Sequence, residues 1–237
     1  SMIAQTLFAV SDNESRPIHT GSLFEIDDTG LTIVSVDGYR LALRHEVIDS
    51  KEGASSFSFV VPGAALSEVE KICSDVDDTL TVTQGARHIM FKIGTTMLVS
   101  RRLEGEFLAY RQAIPRNNTI KVEGDTRTLL SSIDRVSLII SDKLKSPLRC
   151  VFGDQVLRIS TKTAIGDAND QCGIDGDGGG LEIGFNNRYL MDALKAAPAD
   201  RVRLELTTGV SPCVILPAEG VENFLYMVLP VRLKAGE

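Results

Sequence analysis

Residues 181–190, Leu181-Glu182-Ile183-Gly184-Phe185-Asn186-Asn187-Arg188-Tyr189-Leu190, pass from a strand into a helix and set the pattern for the whole chain. Apolar residues alternate through 181–185, as in a half-buried strand. From Asn187 the spacing changes: Leu190, Leu194 and Ala197 stand at i, i+4 and i+7, one apolar stripe on a short helix. The same switch occurs twice upstream. Strand 57–61 precedes a helix carrying Leu66, Val69 and Cys73, and strand 119–123 precedes one carrying Leu129, Ile133, Val136 and Ile140. These three helices begin near residues 64, 126 and 187, an internal repeat of about 60 residues. A fourth stripe, Ile3, Leu7 and Val10, begins at the N-terminus with no strand before it, so the chain reads as opening inside a structural unit.

After each helix the apolar period returns to two. Segments 23–27, 31–36 and 40–45 read as a meander, with turns at Asp28-Thr29-Gly30 and Asp37-Gly38. Comparable strands follow the other helices, so the unit is strand, helix and about three strands, and the fold class is α+β. Two such units per domain give domains at 1–118 and 119–237, divided near Pro115-Arg116-Asn117-Asn118. The Gly/Asp-rich run 166–180 reads as a flexible connection or an irregular hairpin. Asp175 and Asp177 there lack the spacing of a calcium loop, and no metal is expected.

Composition narrows the chemistry. Hydrophobic residues make up 43% of the 237 and charged residues 24%, a globular balance. The net charge of −7 argues against non-specific nucleic-acid binding by the molecule as a whole and leaves local basic faces open. Residues through 121 carry 12 basic and 16 acidic side chains, leaving 25 − 12 = 13 and 32 − 16 = 16 for the remainder, so neither half is a charged tail. No apolar run approaches the roughly 18 residues of a membrane span. Cys73, Cys150, Cys172 and Cys213 lie far apart without metal-ligand spacing, and a cytoplasmic chain without disulfides or cofactors is expected. There is no nucleophile elbow, phosphate-cradling glycine loop or zinc-protease motif, and the chain reads as a binder rather than an enzyme.

Four non-catalytic segments stand out, in order: Val36-Asp37-Gly38-Tyr39-Arg40-Leu41-Ala42, Glu104-Gly105-Glu106-Phe107-Leu108-Ala109-Tyr110-Arg111, the run from Glu182 to Leu190, and Leu225-Tyr226-Met227-Val228-Leu229-Pro230-Val231-Arg232-Leu233. Together they resemble the bacterial sliding clamp, the beta subunit of DNA polymerase III, and specifically the second and third of its three domains. The resemblance implies helices lining a ring around duplex DNA with antiparallel sheets outside. Such a ring holds DNA topologically through weak phosphate contacts that ignore sequence. Arg16, Lys71, Arg127 and Arg188 are the basic residues it would turn towards DNA.

The resemblance also places a hydrophobic peptide pocket between the two domains. Its walls would be His19, Val36, Gly38, Tyr39, Arg40, Leu41 and Leu108 from the first, and Asn186, Tyr189, Val210, Pro212, Met227, Val228, Leu229, Pro230, Val231 and Arg232 from the second. Leu41, Val210, Met227 and Val228 also read as ordinary core. The implied partners are the replicative polymerase catalytic subunit, the clamp loader and repair polymerases, each through a short Leu/Phe motif. His19, Val36, Tyr39, Leu108 and Gln112 depart from the family pattern, which bears on pocket shape and partner preference. Lys234-Ala235-Gly236-Glu237 continue past the usual family terminus, to lie across the pocket or fray.

Leu138 and Ile139 stand off the third helical stripe and, with Ile140, are the expected subunit contact. Because nothing corresponds to the family's first domain or to the opening strand of its second, the chain is expected not to close the usual two-subunit ring. Two further readings stand beside the shortened clamp: a two-domain clamp whose three copies supply six domains, and a stand-alone regulator that traps partner peptides without encircling DNA.

Overall fold

The structure is a computed structural model describing residues 1–48, 56–73, 78–141 and 146–233. The extra residues Lys234 to Glu237 lie outside the described residues. The chain forms two compact units, Ser1–Ala109 and Tyr110–Glu237. That division falls ahead of the boundary expected at 118. A short helix at Tyr110–Ala113, with Tyr110 buried, opens the second unit and takes the linker residues with it.

In the first unit, helix α1 (Ala4–Leu7) is much shorter than its stripe to Val10 predicts and has no side-chain cap. A 3-10 turn at Pro17–Thr20 leads into β1 (Gly21–Asp27), β2 (Gly30–Val36) and β3 (Arg40–Glu46). Strand β4 (Phe57–Pro62) lies antiparallel to β1, giving the order β4-β1-β2-β3. Helix α2 (Gly63–Cys73) follows directly, and β5 (Thr81–Gln84), β6 (His88–Ile93) and β7 (Thr96–Arg101) form a separate three-stranded sheet. The core joins both sheets to the helices. Phe24, Ile33, Phe59, Val61, Leu66, Val69, Ile89 and Phe91 are all buried, with Met2, Ile3 and Leu7 packed on them. Removing such side chains from water is worth roughly 1.5–3 kcal/mol each and dominates the fold's stability.

In the second unit the 110–113 helix is α3, and β8 (Ile120–Asp125) runs into α4 (Thr126–Ser137). Asp125 caps α4 by accepting from the Thr128 amide at 2.7 Å. The helix ends at Ser137, so the expected stripe stops at Val136 and Ile140 lies beyond it. Extended backbone then fills β9 (Leu148–Thr163) and β10 (Gly166–Phe185). Of the two readings of 166–180, the flexible connection does not hold and the irregular hairpin does: the run pairs with β9 across the turn at Thr163–Gly166. Its glycines serve irregular pairing: register shifts fall between Gly173 and Asp177 and between Asp177 and Leu181, and Gly176, Gly179 and Gly180 have positive φ. Asp175 pairs with Arg201, and Asp177 accepts from the Gly179 amide.

Strand β9 doubles back on itself. The Thr161 hydroxyl donates to the Pro147 carbonyl at 3.0 Å, whereas fourteen residues of straight strand would hold them roughly 45 Å apart. The reversal sits where Gln155 has φ +56°. Segment 181–185 pairs with 148–152, and 156–163 with 166–173. The order 181–185, 148–152, 156–163, 166–173 thus repeats β4-β1-β2-β3. Helix α5 (Asn187–Ala196) packs beside α4, and β11 (Arg201–Leu206), β12 (Cys213–Pro217) and β13 (Phe224–Val228) complete a sheet ordered β8-β11-β12-β13.

Candidate functional site

In the first unit the candidate residues gather on the β2–β3 turn. The Asp37 carboxylate accepts from the Tyr39 and Arg40 amides at 2.9 and 3.0 Å and from Arg40 Nε at 2.8 Å. Gly38 takes φ +92°, and no atom lies within 4 Å of where a Cβ would stand. Glycine is required there by backbone conformation rather than by space. Arg40 also lies over the Phe8 ring, 5.4 Å from its centroid. A side chain following this fixed turn starts from a defined position, and Tyr39 is 61% exposed. Flanking it, Val36 and Leu41 are buried, the latter at 1% exposure. His19 meets the Phe107 ring edge-on at 5.5 Å, and Leu108, next in the chain, is exposed. Burial and then the charge of Arg16 hold the His19 imidazole below its ordinary pKa.

In the second unit, segment 181–185 is the centre. The Val231 N–H donates to the Gly184 carbonyl at 2.8 Å, which lays the C-terminal run along the strand. A Cβ on Gly184 would stand 2.5 Å from the Val231 carbonyl oxygen, and one on Gly209 would stand 2.4 Å from the Glu182 carbonyl oxygen. Two glycines therefore let the 208–212 loop and the C-terminal run approach the same strand. Asn186 continues that strand as the cap of α5, its Oδ1 accepting from the Arg188 and Tyr189 amides at 3.0 and 3.4 Å. These contacts bring Val231, the 208–212 loop and the Asn186 start of α5 to one strand. Val210 is 75% exposed, so it is not core; Met227 and Val228 are buried.

The basic candidates are all exposed: Arg16 before the 3-10 turn, Lys71 in the last turn of α2, and Arg127 and Arg188 in the first turns of α4 and α5. Lys71 is held by Glu68 at 2.8 Å, which raises its pKa. Beyond the end of α4, Leu138 is 79% exposed, while Ile139 and Ile140 are half-buried.

Comparison with known proteins now bears on these surfaces. Residues 1–108 match the central domain of the DNA polymerase III beta subunit, and residues 111–232 match its C-terminal domain. The chain belongs to the DNA polymerase III beta subunit family. The beta sliding clamp of Staphylococcus aureus strain Mu50 is 33% identical over 234 residues, covering 98% of this chain. A beta subunit structure from Eubacterium rectale superposes with a TM-score of 0.91 at 33% identity, covering 97% of this chain. The Pseudomonas aeruginosa sliding clamp bound to griselimycin gives 0.91 at 26% identity, covering 98% of it. The chain spans 61% of the length of the Staphylococcus relative and of the Eubacterium structure, and 62% of the Pseudomonas one. These sliding-clamp relatives fit the α+β architecture and the repeated strand-helix unit.

Asp37 and Phe107 organise the candidate surface of the first unit, and Gly184 and Gly209 that of the second, though none of the four is among the expected site residues. Asp37 was legible as an Asp-Gly turn after a strand. The two glycines stand against main chain far away in sequence, a closeness no local pattern carries.

Proposed function

We propose that this chain is a shortened or partial DNA sliding clamp: a non-catalytic, cytoplasmic processivity element that rides duplex DNA and captures partner proteins by short apolar peptides. The observation that carries the peptide reading is the exposure of Tyr39, on a fixed turn within a motif shared with the family, and of Val210, on the loop that Gly209 brings against the 181–185 strand. Apolar side chains held in water on rigid supports suit a Leu/Phe anchor. The Pseudomonas aeruginosa sliding clamp with this fold is bound to griselimycin, so a relative takes a ligand. The proposed partners are the replicative polymerase catalytic subunit, the clamp loader and repair polymerases.

The DNA reading rests on Arg127 and Arg188. A helix N-terminus carries partial positive charge and disfavours cations in its first turn, yet both neighbouring helices place an arginine there and no acidic residue. That arrangement puts exposed positive charge at both helix starts, beside the Asp125 cap carboxylate at α4, and supplies a surface for phosphate. Arg16 and Lys71 are weaker members, and Leu138 is the proposed subunit contact.

The test is fluorescence anisotropy with a Gln-Leu-x-Leu-Phe peptide against the chain and its Tyr39→Ala and Val210→Asp variants. Saturation near micromolar, about −8 kcal/mol, weakened at least about tenfold in both variants with unchanged melting, supports the reading. Binding that both variants leave intact would sink this site. Tyr39 and Val210 are the probes rather than Leu41 and Met227, which are buried, so that truncating them would confuse binding with stability.

A further inference from the structure

Charge is matched on one sheet face of this chain and left open on another. Where β8 and β11 lie side by side, Lys121 pairs with Glu205 at 3.1 Å, Arg203 pairs with Glu205 at 3.0 Å and with Glu222, and Arg201 pairs with Asp175 and Glu123. The β5-β6-β7 sheet of the first unit is different. Residues 79–103 carry Arg87, Lys92, Arg101 and Arg102 and not one Asp or Glu, in a chain of net charge −7. Among the described residues neither Lys92 nor Arg101 joins an ion pair. Asp78 lies at the Gly94 turn, its carboxylate 3.2 Å from where a Cβ of that glycine would stand, and pairs with neither.

Strand alternation places the open cations around an apolar centre. Ile89, Phe91 and Ile93 are buried, and the first two join the core cluster with Leu66 and Val69 of α2. The opposite face carries His88, Met90 and Lys92 of β6, in register with Arg101, Val99 and Met97 of β7. Met97 and Val99 are each more than half exposed, and Met90 is half-buried. Thr81 and Thr83 extend this face beside Lys92 and Met90. Lys92 therefore closes one end of a bare Met/Val patch and Arg101, beside His88, the other. The two ends are four residues apart, about 13 Å along the strands.

These features select the occupant. A second copy of the same face would set cation against cation. Nucleic acid gains little here, because two cations about an apolar centre neutralise few phosphates and the face has no aromatic ring for a base to stack on. An acidic partner with aliphatic residues satisfies both the charge and the patch. A flat sheet face is commonly buried by a helix, as the inner face of this sheet is by α2. A helix rises about 1.5 Å per residue, so about nine residues span the 13 Å between the cations. We infer that the outer face of β6 and β7 docks an acidic amphipathic helix of another protein. Its acidic residues, about nine positions apart, pair with Lys92 and Arg101, and the aliphatic residues between them cover Met90, Met97 and Val99. Methionine suits this role, since its unbranched side chain repacks readily against a partner.

The test titrates the chain into fluorescein-labelled Glu-Glu-Ala-Ala-Leu-Ala-Ala-Leu-Leu-Ala-Ala-Glu-Glu, capped at both ends, and into a copy with Lys at every Glu. The expected result is saturable binding of the acidic peptide at low salt and none of the basic copy. Lys92→Glu with Arg101→Glu, and separately Met97→Ser with Val99→Ser, should each weaken it by at least about tenfold. Melting should not change, because the substituted side chains are exposed. No saturation up to about a millimolar would overturn the inference. So would equal binding of the basic copy, or binding that either double variant leaves intact. Retention on phosphatidylserine vesicles or duplex DNA that the charge reversals abolish, without peptide binding, would also overturn it by assigning the face to another partner. Tyr39 and Val210 lie on other elements, so Tyr39→Ala and Val210→Asp should leave this binding unchanged, and the two proposals fail separately.

Discussion

Replacing Gly184 with alanine tests whether the C-terminal run is held against the 181–185 strand by close backbone approach. At an unstrained, open position a Gly→Ala change stabilises by about 0.4–1 kcal/mol through the unfolded chain. Gly184 lacks a left-handed φ, so conformation alone predicts that gain. Space predicts the reverse. The new Cβ would stand 2.5 Å from the Val231 carbonyl oxygen and 2.8 Å from Leu233 Cδ2. Relieving this overlap costs about 1–3 kcal/mol by the usual scale of overpacking. Moving Val231 also lengthens its 2.8 Å N–H bond to the Gly184 carbonyl, worth about 1 kcal/mol. Set against the unfolded-chain gain of about 0.4–1 kcal/mol, the net loss is about 1–3.5 kcal/mol, on the order of 3–15 °C in Tm for a unit of this size. Gly173 is the internal control: it lies on the same strand, its Cβ would meet nothing within 4 Å, and its φ is ordinary. Differential scanning calorimetry should show Gly173→Ala at or slightly above the parent and Gly184→Ala well below it. Hydrogen exchange should show the Val231 amide opening in the second variant. A Gly184→Ala protein that melts at or above the parent would refute the close approach and the placement of Pro230, Val231 and Arg232 that rests on it.

Leu41→Ala should cost about 2–5 kcal/mol, because its side chain is 1% exposed and truncation leaves a cavity; a melting temperature within a degree of the parent would show that Leu41 is a surface residue instead. Asp170 gives a pH test. The Gln171 amide, the Ser132 hydroxyl and Arg135 all donate to its carboxylate and hold its pKa below the usual 3.8. A depressed folded pKa means that ionised Asp170 favours the fold above about 3.8, and that this contribution is lost as pH falls through the lower folded value. The Tm gap between the parent and Asp170→Asn should hold from pH 6 to 4 and narrow below that, whereas a gap constant down to pH 2 would count against the bridge.

The helices were legible because each carries its signal locally. Leu66 and Val69, or Leu129, Ile133 and Val136, lie on one stripe, and Asp125 and Asn186 are caps that can be read from their place before it. What the local pattern overstated is where a helix stops. Ile140 continues the spacing of α4, but that helix ends at Ser137. Glycine was harder to read. Its abundance at 166–180 suggests a loop because glycine weakens an isolated strand, yet here the pairing partner 148–163 is long enough to hold the segment extended, and the glycines absorb two register shifts. The same ambiguity ran through the site. Leu41, inside a shared motif, and Val210, outside them, are both aliphatic, and hydropathy does not separate them. Leu41 lies within β3, where it and its neighbour Ala42 are both buried, and Val210 on a loop brought to the 181–185 strand by Gly209, whose missing side chain admits the Glu182 carbonyl. Exposure is therefore decided by a contact spanning 27 residues, since 209 − 182 = 27. A substitution at Gly209 that keeps Val210 intact should consequently weaken peptide binding by moving the loop, which makes backbone packing as much a determinant of this surface as the side chains that would touch a ligand.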